Sequence, residues 1–394
     1  MTDPARGHRW AAFSRDGGYR LTGGLPIVKI AGVQRHLGVD TCELTTQFTP
    51  EAYGRLARGC GVVVHRDGEQ QFGGMVGSER RIEWSGKDGT ATITVRCLGD
   101  DQHAADRVVL PSPLADPTVQ VADYWTTTAR ASTAMWRLID QQLGPSASPS
   151  RRLPSLYMGS DPEVGTMRLW SEQFAQVLDT LTSWGVLSGA DLGVRFVTTP
   201  DGLRADVYAP RDVSAGVRFS ASLTNLTGWV LAETPPEVTH AIVAGQGDLA
   251  GRVRRVAATS NAADLAWGRR IERYVDQRDE DDVAKLQQAA IDEVLQGGGS
   301  TTLALEAQDG EAALYGRDWQ LGDRVTVHVG LPGELTVATV VDLIREVAFD
   351  VNPDGSEKIT PAVGTSDAQA VRPGPTQAAV ARLAAGLAKL TRNK

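Results

Sequence analysis

Residues 61–97 read GVVVHRDGEQQFGGMVGSERRIEWSGKDGTATITVRC, and this stretch decides the predicted fold. Strands are predicted at residues 61–65, 71–77, 80–84 and 90–97, and the turn pairs Asp67-Gly68 and Asp88-Gly89 lie between them. An Asp-Gly pair between β-prone runs is typical of a hairpin, because the turn needs positive φ angles that glycine adopts freely. The stretch therefore predicts a β meander that curls into a barrel or a sandwich.

Predicted strands and glycine-containing turns also occur on both sides of this meander. Glycine supplies 42 of the 394 residues, above the usual share of roughly 7%, and this excess indicates many turns. Further strands are predicted at residues 25–33, 39–48, 192–198, 203–209, 216–220, 228–232, 238–244, 252–258, 301–307, 324–329, 335–340 and 346–351.

Helical periodicity interrupts the strands in three places. Apolar residues recur at helical spacing in residues 129–143 and 170–181, which flank a loop rich in Ser and Pro. A third amphipathic helix is predicted at 281–295, where a run of three glycines ends it. The order of β, helical, β, helical and β regions predicts an α+β chain, mainly β, in which a helix-bearing insert interrupts a second β domain.

Composition excludes several classes of function. The chain carries 40 basic and 48 acidic residues, for a formal net charge of -8, which argues against a protein that neutralises phosphates. Cys42, Cys60 and Cys97 lie too far apart for a thiolate zinc site or a disulfide framework, so folding in a reducing compartment is expected. Neither a signal peptide nor a membrane span is predicted.

No motif in the chain predicts catalysis, a cofactor or a metal site. Six histidines are scattered and read as ordinary strand or surface residues, and no Gly-x-Ser-x-Gly elbow occurs. Residues 244–248 (AGQGD) resemble a phosphate loop but lack its Gly-Lys-Ser/Thr ending, which favours a tight turn between strands. The acidic run at 276–282 precedes a predicted helix, so capping is favoured over a cation site.

The Ala-rich segment 377–390 predicts a terminal helix after a polar linker. Its apolar residues are spaced by 3, 4 and 3, as in a coiled-coil seam, and fewer than two heptads cannot sustain a coiled coil alone. A helix docked on its own domain, contact with a partner, and an interfacial membrane helix with Arg382 and Lys389 on its polar side all stay open. The candidate partner or self-association seam is Val380, Leu383, Leu387 and Leu390.

Six runs of the chain together resemble a family of siphophage tail proteins from actinobacterial phages. That family is similar to the tail hub, or baseplate hub, proteins of long-tailed phages. The resemblance covers roughly residues 25–365, in the same order. The runs are WSGKDGTATITVRCLGDDQHAADRVVLPSP (84–113), GLRADVYAPRD (202–212), THAIVAGQG (239–247), WGRRIERYVDQRD (267–279), YGRDWQLGDRVTV (315–327) and NPDGSEKITPAVGT (352–365).

The resemblance implies two β-barrel domains related to the tail-tube fold, interleaved with helix-bearing inserted domains, so that three chains make a pseudo-hexameric ring. The implied divisions are an N-terminal arm (1–24), a first tube-like β-barrel domain (25–113), a helix-bearing domain (114–191), a second tube-like β domain (192–220 with 315–365), an inserted α/β domain (221–314), and a linker with the C-terminal amphipathic helix (366–394).

The function implied is a structural homotrimer that caps the tail tube at the tip of the virion and forms part of the DNA ejection channel. Assembly in the bacterial host cytoplasm is expected, with the distal tail protein or last tube ring, the tape measure protein, and tip fibres or receptor-binding proteins as partners. Neither specific nucleic-acid binding nor stable membrane insertion is expected. The family supplies no catalytic residues. A tail-associated cell-wall hydrolase and the hub of a non-viral contractile injection system remain the alternatives.

Overall fold

The computed structural model describes residues 9–87, 89–248, 251–307, 313–330 and 338–364. The described residues of Met1–Trp229 and Leu305–Val363 form one compact unit, and those of Val230–Ala304 and Gly364–Lys394 form a second. Among the described residues, no helix has the length and apolar character needed to cross a bilayer.

The strands outnumber the helices. They are β1 (Trp10–Arg15), β2 (Leu21–Leu25), β3 (Ile27–Arg35), β4 (Thr41–Gln47), β5 (Gly61–Arg66), β6 (Glu69–Ser85), β7 (Thr90–Gly99), β8 (Trp125–Arg130), β9 (Leu156–Met158), β10 (Met167–Glu172), β11 (Gly193–Thr199), β12 (Gly202–Tyr208), β13 (Arg218–Ser220), β14 (Leu226–Thr234), β15 (His240–Ala244), β16 (Arg254–Ala258), β17 (Glu272–Asp276), β18 (Ser300–Ala307), β19 (Arg324–Val329), β20 (Ala338–Val351) and β21 (Glu357–Gly364). The helices are α1 (Pro50–Arg55), α2 (Gln102–Ala105), α3 (Ala131–Gln142), α4 (Val177–Leu187), α5 (Ala262–Ala266) and α6 (Val283–Gln296).

The first unit is built on a large sheet whose strands follow the order β21–β20–β3–β4–β7–β6–β5–β1–β2. Neighbours along this path are antiparallel, and β19 pairs with the first half of β20 while β13 runs parallel to β19. The strands β14 and β18 carry the chain between the two units. The mainly β class predicted from the sequence is therefore confirmed.

Strands β2 and β3 follow each other in the sequence but lie far apart in this strand order. Strand β2 ends at Leu25 and β3 begins at Ile27, so segment 21–35 supplies both end strands of the seven-strand part β3–β4–β7–β6–β5–β1–β2. Pro26 lies between the two strands, where its missing N–H interrupts hydrogen bonding to a neighbour. No ladder among the described strands closes this path, so the predicted closed barrels are not found there.

Strand pairing crosses two of the predicted domain boundaries. Strands β1 and β2 fall in the predicted N-terminal arm (1–24), but β1 lies between β2 and β5 inside the sheet, because Phe13 and its neighbours pair with the Val-rich β5. The predicted second tube-like domain (192–220 with 315–365) includes β11 and β12, but within 192–220 the described pairing with β19 comes from β13 and from a bridge at Asp212. The domain division as a whole stays a prediction.

Strands β11 and β12 instead share a hydrophobic core with α3 and α4. This core packs both helices against the small sheets β9–β12–β11 and β8–β10. Its buried residues include Met135, Leu138, Trp184, Val194 and Val207, which come from four different elements. The apolar stripe predicted for residues 129–143 is confirmed, since α3 buries Met135 and Ile139.

The helix predicted at 170–181 begins later than expected. Trp170 lies in β10, fully buried, and its indole N–H donates to the carbonyl of Ala129 at 3.1 Å. Phe174 has φ of 53°, which no α-helical residue adopts, and α4 starts at Val177. The apolar spacing therefore ran through a strand, a turn and a helix whose buried residues share one core.

The second unit packs α6 across the three-stranded sheet β16–β15–β17. Leu286, Ala290 and Val294 of α6 are buried against β15, while Val283, at the start of the helix, is exposed. The carboxylate of Asp282 accepts a hydrogen bond from the N–H of Ala284 at 2.8 Å, so the predicted cap is confirmed. Residues 245–253 connect the antiparallel strands β15 and β16 as predicted, although nine residues make a longer connection than a tight turn.

Two pairs of predicted strands are single long strands. Strand β6 runs through both 71–77 and 80–84, with a bulge between Val76 and Glu79 that absorbs the change in register. Strand β20 joins 346–351 to the described part of 335–340. The predicted linker and terminal helix (366–394) lie outside the described residues.

Candidate assembly surfaces

Of the described histidines, only His36 is buried, and its contacts are structural. His36, expected in a strand or at the surface, is buried in the turn after β3. Its Nε2–H donates to the Asp191 carbonyl at 2.9 Å, and its Nδ1 accepts from the Tyr208 hydroxyl at 2.8 Å. Burial, together with the nearby Arg345 guanidinium, lowers the pKa of His36 to about 4, so this ring is a neutral structural bridge.

Within the described ranges, no three His, Cys, Asp or Glu side chains are grouped so that they could hold a metal ion. The acidic run at 276–282 is engaged locally: Arg252 and Arg278 pair with Asp276, Lys285 pairs with Glu280, and Asp282 caps α6. The acidic side chains of this run therefore form ion pairs and a helix cap.

In its distal half the β6–β7 hairpin has lost its β5 neighbour, while β7 stays paired with β4 as far as Thr92. From Gln71 to Gly74 every residue of β6 is buried, whereas Glu79–Trp84 are all exposed. Strand β7 follows β6 to the tip, where Ser85 pairs with Thr90. Strand β5 pairs with β6 only as far as Met75, so no described strand lies along the outer edge of β6 beyond it.

Four large apolar side chains gather on one face of this distal half. They are Phe48, Tyr53, Ile82 and Trp84, called here the hairpin surface, and their exposed fractions are 36%, 41%, 46% and 75%. The Phe48 and Tyr53 rings lie 6.1 Å apart, and the Phe48 N–H donates to the carbonyl of Ala91, the residue opposite Trp84. Exposed aromatic residues grouped in this way are typical of a binding surface.

Helix α1 holds Tyr53 in this group. Thr49 caps the helix by accepting from the Ala52 N–H at 3.0 Å, and Pro50 occupies the first turn, where it needs no N–H partner. The guanidinium of Arg80 lies 4.3 Å from the centre of the Tyr53 ring and donates to the Tyr53 carbonyl at 3.3 Å. The helix and the hairpin therefore present one combined surface.

The opposite face of the hairpin is charged. Arg96 on β7 pairs with Glu79 and with Glu43, each at 2.9 Å, and Arg81 pairs with Glu83 at 2.5 Å. All these side chains are well exposed, so the ion pairs keep this face solvated and add little to stability. Only the apolar face thus has burial to gain from a partner.

A buried ion pair fixes the base of the hairpin. Arg15 of β1 donates to Asp100, which follows β7, and to the hydroxyl of Thr198 on β11 at 2.6 Å. Both charged side chains are 1% exposed. The amide side chain of Gln70 adds a second link, because it accepts from the Thr198 N–H at 2.9 Å and donates to the Phe196 carbonyl. These contacts therefore anchor the proximal half of the hairpin to β1 and β11.

A second exposed apolar surface lies in residues 114–124, called here the acidic loop. Leu114, Val119, Val121 and Tyr124 are 75%, 61%, 83% and 50% exposed. Its only charged residues are Asp116 and Asp123, both exposed. Hydrogen bonds from Thr118 hold the pKa of Asp116 below its usual value. The loop is thus both apolar and negative.

Polar side chains within the acidic loop fix its shape. The Gln120 side chain accepts from the Ser112 N–H at 2.8 Å and donates to the Asp116 carbonyl at 2.9 Å. Asp116 accepts from the Thr118 N–H at 2.8 Å, and Ser112 accepts from the Ala122 N–H. Since its polar groups bond to one another, the loop presents apolar side chains to solvent in a preset arrangement.

The sequence located neither surface. The predicted seam of Val380, Leu383, Leu387 and Leu390 lies outside the described residues, so it stays a prediction. The signal for the hairpin surface was present: Arg80, Ile82 and Trp84 alternate with Arg81 and Glu83. Such alternation predicts a strand with one apolar face and does not tell whether the chain itself covers that face.

Comparisons with known proteins agree on one class. A family model described as "Siphovirus ReqiPepy6 Gp37-like protein" matches residues 15–365. The structure is similar to the tail protein from Neisseria meningitidis MC58, with a TM-score of 0.54 and 14% sequence identity over 91% of this chain and 99% of that one. A search among curated proteins returns no match.

Two prophage proteins have a comparable likeness. The 43 kDa tail protein of prophage MuSo2 from Shewanella oneidensis gives a TM-score of 0.53 at 14% identity, covering 91% of this chain and 99% of that one. The prophage tail protein gp18 from Listeria monocytogenes EGD-e gives 0.53 at 11% identity, covering 95% and 99%. At such identities the likeness shows a shared fold.

Proposed function

The chain belongs to the family described as Siphovirus ReqiPepy6 Gp37-like protein, a family of siphovirus tail proteins, and from this premise we propose that it is a structural tail hub. Three copies would form a ring that closes the tail tube at the tail tip of a long-tailed phage. The ring would surround part of the path by which DNA leaves the particle.

The observation that carries this proposal is the joining of two β modules in one sheet. The first module is β1–β7, and the second is β13 with β19–β21. They are connected by the antiparallel ladder of β3 and β20, in which Arg35 lies opposite Glu346 and their side chains pair at 3.2 Å. One chain thus supplies two modules joined edge to edge, and three chains would supply the six that continue a six-fold tube.

The curl of the first module supports a tube-like role for it. Segment 21–35 provides both the β2 and the β3 end of the seven-strand path, so the sheet bends back toward its own start. A sheet that bends in this way surrounds its apolar face, which here includes Ile30, Leu44, Val64 and Ile93, all fully buried. This is the arrangement expected of a barrel that stacks in a ring.

The electrostatics suit a conduit more than a DNA-binding protein. With a formal net charge of -8, the chain offers phosphates no general attraction, and carboxylates facing a channel would repel the passing strand. We propose a place at the tail tip, between the distal tail protein or last tube ring and the tip fibres or receptor-binding proteins. The tape measure protein would pass through the ring during assembly.

The mass of the purified full-length chain in solution tests the ring. Native mass spectrometry is expected to find three copies, because two modules per chain give six around a common axis. A closed dimer or tetramer would overturn the proposal. A zymogram on host cell wall separates the hub from the hydrolase, since clearing by the isolated protein would favour an enzyme. A sheath gene beside this one would instead favour a contractile injection system.

A further inference from the structure

Two unlike surfaces of the chain have apolar area to bury. The hairpin surface consists of aromatic and aliphatic side chains on a strand and a short helix, and the acidic loop presents aliphatic side chains and a tyrosine on irregular backbone. Trp84 and Val121 are the most exposed large apolar residues of the two, at 75% and 83%. A monomer leaves both surfaces in water.

Their charges are opposite. Next to the hairpin surface, residues 50–58 carry Arg55 and Arg58 against the single acid Glu51, which pairs with Arg55, and Arg80 lies over the Tyr53 ring. The acidic loop has two carboxylates, and no Lys or Arg occurs between residues 108 and 129. The net charges of about +2 and -2 therefore match, and contact between the surfaces would pair charges that are now solvated.

A ring of identical chains needs two different contact surfaces on each chain. Around a three-fold axis each copy contacts its two neighbours through different patches, so the interface joins two unlike surfaces of the same chain. Two surfaces that resembled each other would instead favour a two-fold dimer. The presence of one basic and one acidic apolar surface on a single chain fits the ring and identifies the occupant of each as a second copy.

We propose that the hairpin surface of one copy docks on the acidic loop of the next copy around the ring. The inference rests on the proposed ring and specifies its contact. Trp84 would be the central anchor, since a large exposed aromatic side chain has the most area to bury on association. Arg58 and Arg80 would stand beside Asp116 and Asp123 at the rim.

Photo-cross-linking of the full-length protein tests this contact. A benzophenone amino acid replaces Trp84 in one preparation and Arg81, on the opposite face of the same strand, in a matched control. Chains labelled with ¹⁵N are mixed with unlabelled chains before irradiation, so that a cross-link between copies has a mixed isotopic mass. Circular dichroism checks that both variants fold.

The expected result is a mixed-isotope cross-link from position 84 to a peptide containing residues 114–124, with at least a tenfold lower yield from position 81. If a trimer forms but position 84 links elsewhere, or only within one chain, the docking inference fails and the ring stands. If the dominant species is a two-fold dimer joined hairpin to hairpin, both the inference and the proposed ring fail.

Charge reversal gives an independent test. Arg58→Glu with Arg80→Glu is expected to weaken self-association by about tenfold, and so is Asp116→Lys with Asp123→Lys. The four changes together restore opposite charges with the signs exchanged, and recovery to within about threefold of the wild-type association constant is expected. Failure of the combined variant to recover, while circular dichroism shows it folded, would overturn the proposed pairing of the two surfaces.

Discussion

The two halves of strand β6 share one backbone but differ in partner strand and in environment, because Gln71–Gly74 pair with β5 and Glu79–Trp84 pair with β7. Gln71–Gly74 are buried within the sheet, close to the buried Arg15–Asp100 ion pair, whereas Glu79–Trp84 are exposed on both faces. The proximal half therefore stabilises the fold through burial and close packing. The distal half leaves the burial of Ile82 and Trp84 to be gained when a partner binds.

The largest effect should come from the ion pair beneath the proximal half. Asp100→Ala leaves Arg15 charged and buried without its main partner, which is expected to lower the free energy of unfolding by about 3–5 kcal/mol. Its counterpart on the distal half is Glu83→Ala, which removes an exposed pair with Arg81 and should cost less than about 0.5 kcal/mol. Urea unfolding monitored by tryptophan fluorescence measures both. Equal losses would remove the distinction between the halves.

Adding a methyl group in the proximal half of β6 or just past its distal end should change stability by different but smaller amounts. A Cβ at Gly74 would overlap the carbonyl oxygen of Leu98 and the Phe72 ring, so Gly74→Ala is expected to destabilise the protein by about 1–3 kcal/mol. Just past the distal end, a Cβ at Gly86 would meet only the exposed Trp84 ring, which can turn away. The Gly86→Ala variant should keep the wild-type unfolding midpoint; a midpoint as low as that of Gly74→Ala would contradict this account.

The acidic groups at the base of the hairpin should make stability fall as pH rises. Burial raises the pKa of Asp40 to about 7, and burial and the nearby Asp40 carboxylate raise the pKa of Asp101. Between pH 4 and 7 the folded chain then holds protons that the unfolded chain has released. Each such proton lowers the free energy of unfolding by about 1.4 kcal/mol per pH unit as pH increases.

The Asp101→Asn variant tests this direction, because it removes one of the two carboxyl groups. Unfolding free energies from urea titrations at pH 5 and pH 8 are expected to differ less in this variant than in the wild type. Glu83→Gln, on the exposed distal half, serves as the control and should keep the wild-type difference. An Asp101→Asn variant with the full wild-type difference would show that the pair does not titrate in this range.

Replacing Trp84, the proposed anchor of assembly, should have little effect on stability. Trp84→Ser removes a side chain that is three-quarters exposed, so the free energy of unfolding should change by less than about 0.5 kcal/mol. Its self-association, measured by sedimentation, should fall by at least tenfold. A variant that loses stability but associates normally would reverse the roles assigned to the two halves of β6.

Turns and helix caps were predictable from residues that are neighbours in the sequence. Asp67 and Gly68 both have positive φ, at 53° and 90°, as the hairpin signal requires, and Asp282 caps α6 where the acidic run ends. These features depend on neighbours in the sequence. The sequence pattern therefore contained most of their determinants.

Features that depend on distant partners were not predictable in the same way. The spacing of apolar residues around Trp170 fits a helix as well as a strand, and only pairing with β8 places this residue in a strand. Arg15 and Asp100 are 85 residues apart, and nothing in their neighbourhoods marks them as partners. The hairpin surface was missed for a related reason, because alternation gives the apolar face of a strand and the sheet around it decides whether that face is covered.

The central claim is that three copies of this chain form a ring at the end of the tail tube. A cryo-electron microscopy reconstruction of the tail tip from particles that contain this protein tests it most directly. The account predicts a three-fold ring of the chain, stacked on the last tube ring, with Trp84 of each copy against residues 114–124 of its neighbour. Absence of the chain from the tip, or its presence there in a ring without three-fold symmetry, would contradict the account.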